Sequence, residues 1–350
     1  MAIKVFMVHV GDVVENPKPS EYGVYLQRKE LISNELKTFE KYHIINADSQ
    51  MESLVEAGVE MDYGHFSDRK SIKALWKAGL AICKRSKEVD LIHVLWGTTT
   101  ALITVLFSSK PVVISFCGSD LLGQVDEHGN ISLSGKISRF LSQISALMAR
   151  SIITKSEHMK RSLWSLSKGK ATAIPNGVNL ASFQELNQAE AKAKLNWSGP
   201  EQNLLFFSGG GAPVKNQALA QEVFDLLKSD FPKLNLKIVH GVPHSELIYY
   251  YNAADVLLLT SFHEGSNNSL KEAMACNLPI VSVDVGDSRE RISDIDNCRL
   301  LSNYNAQEMA SAVASILESG KRSNGRDFIN FVSMEYIAKR VIDVYKSAIK

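Results

Sequence analysis

The chain has 350 residues, 45% of them hydrophobic, and its charges sum to +1. That length allows two ordinary domains, each with a sizeable core, and the near-neutral balance gives no bulk attraction to nucleic acid. The four cysteines, Cys83, Cys117, Cys276 and Cys298, are scattered without metal-ligand spacing or a disulfide framework. No apolar run approaches the ~18 residues of a membrane span, and the opening MAIKVFMVHVGD is too short in its apolar part for a signal peptide and reads as a first strand. The expectation is a soluble, cytoplasmic protein.

Short Val- and Ile-rich runs recur along the chain. In order they are IKVFMVHV, HIINA, DLIHVLW, PVVISF and SIITKS, then NLLFFS, LKIVHG, DVLLLTS and LPIVSVDV. Most are continuous rather than alternating, the mark of strands covered on both faces. Helical patterns separate them: Ile137, Phe140, Leu141, Ile144, Leu147 and Met148 share one face, as do Leu219, Val223, Leu226 and Leu227. Strand alternating with helix predicts parallel sheets covered by helices, and the strands are too many for one such sheet, so two Rossmann-like domains are expected. AIPNGVN, residues 173–179, marks the boundary through the turn formers Pro175 and Asn176-Gly177. A last helix starts at a cap, Ser333, with Ile337, Val341, Val344, Tyr345 and Ala348 on one stripe.

The segment HEGSNNSLKEAMACNLPIVSVDVGD, residues 263–287, holds two glutamates, Glu264 and Glu272, eight positions apart. Ser269-Leu-Lys-Glu272 has the capping-box pattern and places a helix start at Ser269. Asn277 suits the left-handed exit from that helix, and Pro279 prevents its continuation. The N-terminus then carries Gly265, Ser266, Asn267 and Asn268, whose free N–H groups and helix dipole suit an anion such as a diphosphate. Carboxylates beside such a site serve neighbouring hydroxyls, because an ionised carboxylate only accepts hydrogen bonds. A ligand ordered sugar, diphosphate, ribose fits. Equally, Glu272 completes the capping box and Glu264 is a solvated loop charge.

The pair Glu264-x7-Glu272, followed by AMACNLPIVSVDVGD, resembles the nucleotide-sugar site of retaining glycosyltransferase family 4, which has the GT-B fold. DLIHVLWG, SFCGSD, IPNGVN, FSGGGAPVKN and YYNAADVLLLTSFHEG resemble further segments of that family in the right order. The resemblance implies an α/β GT-B architecture, two Rossmann-like domains whose parallel sheets face across a deep cleft. Residues 1–172 would form an acceptor-side domain, with the helix 334–350 packing back on it, and residues 173–333 the donor-binding domain. The implied catalytic residues are Glu264, holding donor-sugar hydroxyls, and Lys215, neutralising the departing diphosphate. The backbone of Gly265, Ser266, Asn267, Asn268 and Ser269 would meet sugar and phosphates, Glu272 the ribose, and Gly209 and Gly210 would form the glycine-rich turn. Cys117 stands where the family has a histidine, and Asp120 either orients the acceptor site or caps a helix. Gly23 either lets the backbone approach a phosphate or packs a helix.

The resemblance further implies a retaining, metal-independent glycosyltransferase of surface polysaccharide or glycolipid assembly. It uses a UDP- or GDP-sugar donor and a glycan or lipid-linked acceptor, with no other cofactor. Lys136, Arg139 and Arg150 flank the helix at 137–148, and such a basic edge can meet anionic lipid at the inner face of the cell membrane, although an ordinary core-facing helix carries the same pattern. Against this stand a dinucleotide oxidoreductase, for which SGGGAPVKN lacks the third glycine position and VHG the following acid. A non-enzymatic sugar-binding protein and a sugar-nucleotide epimerase of the same fold are further alternatives. His93 and Trp96 read as core or cleft, and Asp294 and Asp296 as a solvated turn.

Overall fold

The computed structural model describes residues 2–9, 45–65, 71–197 and 199–350. Gly23 and the helix expected near Ser20 lie outside the described residues.

Two parallel sheets organise the chain. The first contains β1 (Lys4–His9), β2 (Glu60–His65), β3 (Leu91–Leu95), β4 (Val112–Phe116), β5 (Ser151–Thr154) and β6 (Ala171–Ala173) in the order β2-β1-β3-β4-β5-β6. The second contains β7 (Gln202–Phe207), β8 (Leu234–Val239), β9 (Val256–Leu259), β10 (Ile280–Val283) and β11 (Arg299–Leu301) in the order β11-β10-β9-β7-β8. The continuous apolar runs form the sheet interiors, as in β4 and β9, which are buried throughout. The strands that sequence patterning misses, β2, β6 and β11, all lie at sheet edges. An edge strand pairs on one side only and is not covered like a central one, so it need not carry a continuous apolar run. HIINA is corrected: Ile45–Ala47 open a helix, because so short an apolar run does not distinguish strand from helix.

The helices of the first half are α1 (Ile45–Glu56), α2 (Ile72–Arg85), α3 (Thr98–Phe107), α4 (Ser119–Leu122), α5 (Leu133–Met148), α6 (Glu157–Arg161) and α7 (Ser165–Lys168). Those of the second are α8 (Gln188–Lys194), α9 (Gln217–Leu227), α10 (Leu247–Ala253), α11 (Asn268–Ala275), α12 (Ser288–Ile292) and α13 (Ala306–Ser319), followed by α14 (Met334–Ile349). Alternation along β1 divides the first core. Phe6 and Val8 pack with Ala78 and Ile82 of α2, Ala101 of α3 and Ala146 of α5. Val5 and Met7 pack with Leu54 of α1 and with Ile337, Val341 and Tyr345 of α14. The chain's last helix therefore lies on the first sheet. Its cap is Ser333, whose hydroxyl accepts from the Tyr336 N–H.

Two segments run side by side between the halves. The Val178 N–H donates to the Val332 carbonyl at 2.8 Å, and the Met334 N–H donates to the Val178 carbonyl at 3.2 Å. Residues 174–177 form no turn. Gly177 serves close approach instead, since a Cβ there would stand 2.6 Å from Met334 Sδ.

His93 joins α14 to the sheet. Its Nδ1 hydrogen-bonds the Tyr345 hydroxyl at 2.6 Å and its Nε2 hydrogen-bonds Ser115 Oγ at 2.7 Å. Burial, with the charge of Lys155 adding to it, lowers its pKa to about 3. The ring is thus neutral, one nitrogen donating and the other accepting. Replacing Tyr345 with Phe strands a buried ring nitrogen. We expect the unfolding free energy to fall by about 1–3 kcal/mol in Tyr345→Phe, whereas Tyr336→Phe, at a 41% exposed position, stays within about 0.5 kcal/mol. Urea denaturation of both variants checks this.

Candidate active site

The carboxyl ends of parallel strands are where α/β sheets bind ligands, at the point where strand order reverses. In the second sheet that point lies between β7 and β9. After β7 the chain makes three consecutive left-handed residues, Gly209, Gly210 and Gly211, with φ of 57°, 71° and 83°. Glycine takes these angles without steric cost. A Cβ on Gly210 or Gly211 would meet nothing within 4 Å, so backbone angle rather than crowding selects glycine there. A 3-10 turn, Pro213–Lys215, follows and ends at left-handed Asn216. Thr260, just beyond β9, anchors it by donating to the carbonyls of Lys215 and Asn216.

This anchoring brings Lys215 to Glu264. The ammonium lies 2.7 Å from Glu264 Oε1, with side chains 25% and 16% exposed. Ser261 Oγ, at 2.8 Å, and Asn267 Nδ2, at 3.3 Å, donate to the same oxygen. Both residues named from sequence as catalytic thus form one partly buried ion pair.

The helix start is corrected. α11 begins at Asn268, and Asn267 is its cap, its side-chain oxygen accepting from the Leu270 N–H. Ser269 lies inside the first turn. Glu272 does not close a capping box: its Oε2 accepts from the Tyr251 hydroxyl at 2.6 Å and its Oε1 from His244 Nε2 at 2.9 Å. These donors lie outside the helix and draw the carboxylate sideways. The bond to Glu272 raises the His244 pKa, opposed by burial. Asn277 adopts the expected left-handed conformation, φ 53°.

Residues not singled out from sequence complete the floor of this site. α11 is buried from Leu270 to Ala275, so Lys271 is fully buried, and burial lowers its pKa to about 8, partly opposed by Asp287. Its ammonium hydrogen-bonds Ser266 Oγ, which in turn donates to Asp287 Oδ2 at 2.9 Å. Arg291 Nε stands 3.3 Å from the same carboxylate. The available signal was the run LKEAMAC, apolar enough around Lys271 to leave the lysine no solvent.

The first half supplies the opposite wall. Asp120, 1% exposed, accepts from the N–H groups of Gly97 (2.8 Å), Cys117 (3.0 Å) and Gly118 (2.7 Å). It lies within α4, whose N-cap is Gly118, and it ties two loops together rather than capping. The Gly97 loop is held in a costly conformation, with Trp96 at φ 92° and β-branched Thr98 at φ 63°. Burial and the Asp120 charge push the Cys117 thiol up to about 12, which keeps it protonated and unreactive. Lys155, at the end of β5, is 2% exposed. Burial lowers its pKa, against the pull of Cys117 and Asp120.

The walls meet at main chain. A Cβ on Gly265 would stand 2.2 Å from the Cys117 carbonyl oxygen, and one on Gly118 would stand 3.6 Å from the Gly265 nitrogen. Asn176 Nδ2 donates to Asn268 Oδ1 at 3.2 Å. Beside them His263 bonds the Gly123 backbone, and burial lowers its pKa. Its Nε2 and Asp287 Oδ1 are buried without a hydrogen-bond partner. Orphaned polar atoms of this kind call for an explanation, and a ligand between the walls is one. Asp294 and Asp296 are exposed, and among the described residues no group of three or more His, Cys, Asp or Glu could hold a metal.

Residues 190–319 match the family described as glycosyl transferases group 1. Among curated relatives, the putative teichuronic acid biosynthesis glycosyltransferase TuaC of Bacillus subtilis is 26% identical over 243 residues, covering 64% of this chain and 60% of that protein. The matches span only 20% to 60% of the length of these curated relatives. Among solved structures, sucrose-phosphate synthase from Thermosynechococcus elongatus superposes with a TM-score of 0.73 at 17% identity, over 98% of both chains. Anabaena HepE in complex with UDP and glucose gives 0.65 at 14% identity, over 99% of this chain and 100% of that one. The matched segment, somewhat over a third of the chain, holds Lys215, Glu264 and Glu272, and the chain shares the two-sheet GT-B fold of these solved structures.

Proposed function

We propose that this protein is a retaining glycosyltransferase that moves a sugar from a nucleoside-diphosphate donor to an acceptor hydroxyl in surface polysaccharide or glycolipid assembly. Residues 1–172 with the last helix would take the acceptor, and residues 173–333 the donor. The observation that carries this reading is the Lys215–Glu264 pair, 2.7 Å apart, set between the glycine turn at 209–211 and the N-terminus of α11. It offers a cation and main-chain amides to a diphosphate, with a carboxylate beside them for sugar hydroxyls. That HepE is seen with UDP and glucose makes UDP-glucose the first donor to test.

On this reading donor binding redistributes an existing interaction. The diphosphate takes over the Lys215 ammonium, and Glu264 turns to sugar hydroxyls. As the anomeric C–O bond breaks, Lys215 and the α11 amides stabilise the charge growing on the leaving diphosphate. The acceptor oxygen bonds the anomeric carbon from the face being vacated, and its proton passes to a departing phosphate oxygen, so configuration is retained. Gly265 to Asn268 line the path, and Glu272, steadied by Tyr251 and His244, faces the ribose. Cys117 offers only a weak thiol contact to the sugar.

Replacing Glu264 with Ala is expected to lower kcat/KM by on the order of 10²–10⁴, about 3–5 kcal/mol of transition-state binding. Full transfer activity with every nucleotide sugar tried would remove the role. In Lys215→Ala the dissociation constant for UDP or GDP, measured calorimetrically, should rise about tenfold or more; an unchanged value defeats the phosphate assignment. The His244–Glu272 bond raises the imidazole pKa, so its stabilisation is complete below the ordinary value of 6.5 and is lost as pH rises through the raised one. His244→Gln should therefore flatten the fall of melting temperature with rising pH in that window, and an unaltered profile would show that the bond is not formed in solution.

A further inference from the structure

Two of the helices on one side of the first sheet, α3 and α5, bury polar residues and expose large apolar ones. α3 buries Thr98, Thr100 and Thr104 and leaves Leu106 54% exposed. α5 buries Ser142, Gln143 and Ser145, while Leu133, Ile137 and Phe140 are 75%, 56% and 57% exposed. The stripe read from sequence as one apolar face thus points largely outward. On α2, Ile72, Trp76 and Leu80 stand four residues apart on one exposed row. The three helices are neighbours, α3 packing against both α2 and α5, so these rows form one broad apolar surface. Phe140 extends it to Trp164 before α7, their ring centroids 6.1 Å apart.

The charges on this layer have one sign. α2, α3, α5 and α7 contain no Asp or Glu. Lys73, Lys77, Lys84, Lys136 and Arg139 are exposed on them. Polar groups turned inward, large apolar groups turned outward and helices whose charges are all cationic suit an anionic lipid surface, the exposed carboxylates Glu88, Asp126 and Glu127 being confined to the adjoining turn and loop. A second copy of the chain suits this surface poorly, since its cations would face identical cations. The surface also reaches the cleft. The loop leading into α5 touches the opposite half, where a Cβ on Gly129 would stand 2.9 Å from the Phe262 ring.

We infer that the outer face of α2, α3 and α5 docks on an anionic membrane, seating the mouth of the cleft at the bilayer surface. Among the described residues no helix is long and apolar enough to cross a membrane, so the contact is peripheral. It rests on exposed side chains and not on the donor chemistry proposed above, so either can fail alone.

Flotation of the full chain with vesicles tests it. The chain should float with an equal mixture of phosphatidylglycerol and phosphatidylcholine, not with phosphatidylcholine alone, and less as salt rises. The double variants Lys136→Glu/Arg139→Glu and Ile137→Ser/Phe140→Ser should each cut the bound fraction at least about tenfold, with melting temperatures close to the unmodified chain and thermal shifts with UDP unchanged. The inference is overturned if the chain ignores phosphatidylglycerol, if both double variants float like the unmodified chain, or if Ile137→Ser/Phe140→Ser abolishes a concentration-dependent dimer in a chain that does not bind lipid.

Discussion

The arrangement of this molecule depends on a contact between two stretches of bare backbone. The carboxyl ends of the two sheets approach until Gly265 lies against the Cys117 carbonyl and Gly118. Any side chain at 265 would overlap an oxygen atom of the other wall. Because no Cβ intervenes, the loops that follow β3, β4 and β5 share one small volume with those that follow β7, β9 and β10. The two segments between the halves lie equally close, where Gly177 lets residue 178 hydrogen-bond the segment that begins α14. Glycine here is a matter of space, whereas at 209–211 it is a matter of backbone angle.

Closing the walls takes charges out of water, and the structure offsets that cost locally. Asp120 is surrounded by N–H donors, and Lys271 by Ser266 with Asp287 beyond it. Glu264 concentrates three donors on one oxygen. Buried ionisable groups add little to net stability, and removing one partner is what destabilises. Their concentration at the facing strand ends, rather than elsewhere in the two cores, is therefore better understood through ligand chemistry than through folding. The unpartnered His263 Nε2 and Asp287 Oδ1 lie in the same place.

The first half shows how far a helical pattern can mislead about direction. The periodicity at 137–148 correctly marks a helix, and its apolar stripe suggests a core. The core side of α5 is instead made of Gly135, Ser142, Gln143, Ser145 and Ala146, most of them small enough for α3 to pack closely, with Ser142 bonding the Asp120 carbonyl and the Thr98 N–H. The large residues are left outside. By contrast α14 and α9 face as their patterns suggest, Leu226 excepted, which is 41% exposed.

Local features of the chain were legible without a structure. The central strands follow from continuous apolar runs, because a strand covered on both faces needs them. The left-handed Asn277 and the loop carrying Glu264 follow from residue types whose preferences act over a few positions. Relations that span the chain were decided only on folding. Lys215 meets Glu264 across 49 residues, the helix cap moves to Asn267 because Tyr251 and His244 claim Glu272, and edge strands form without an apolar signature. Lys271 is buried, and the apolar row of α5 is not. Each depends on which element comes to cover which, and burial is set by neighbours distant in sequence, of which the local pattern holds no record.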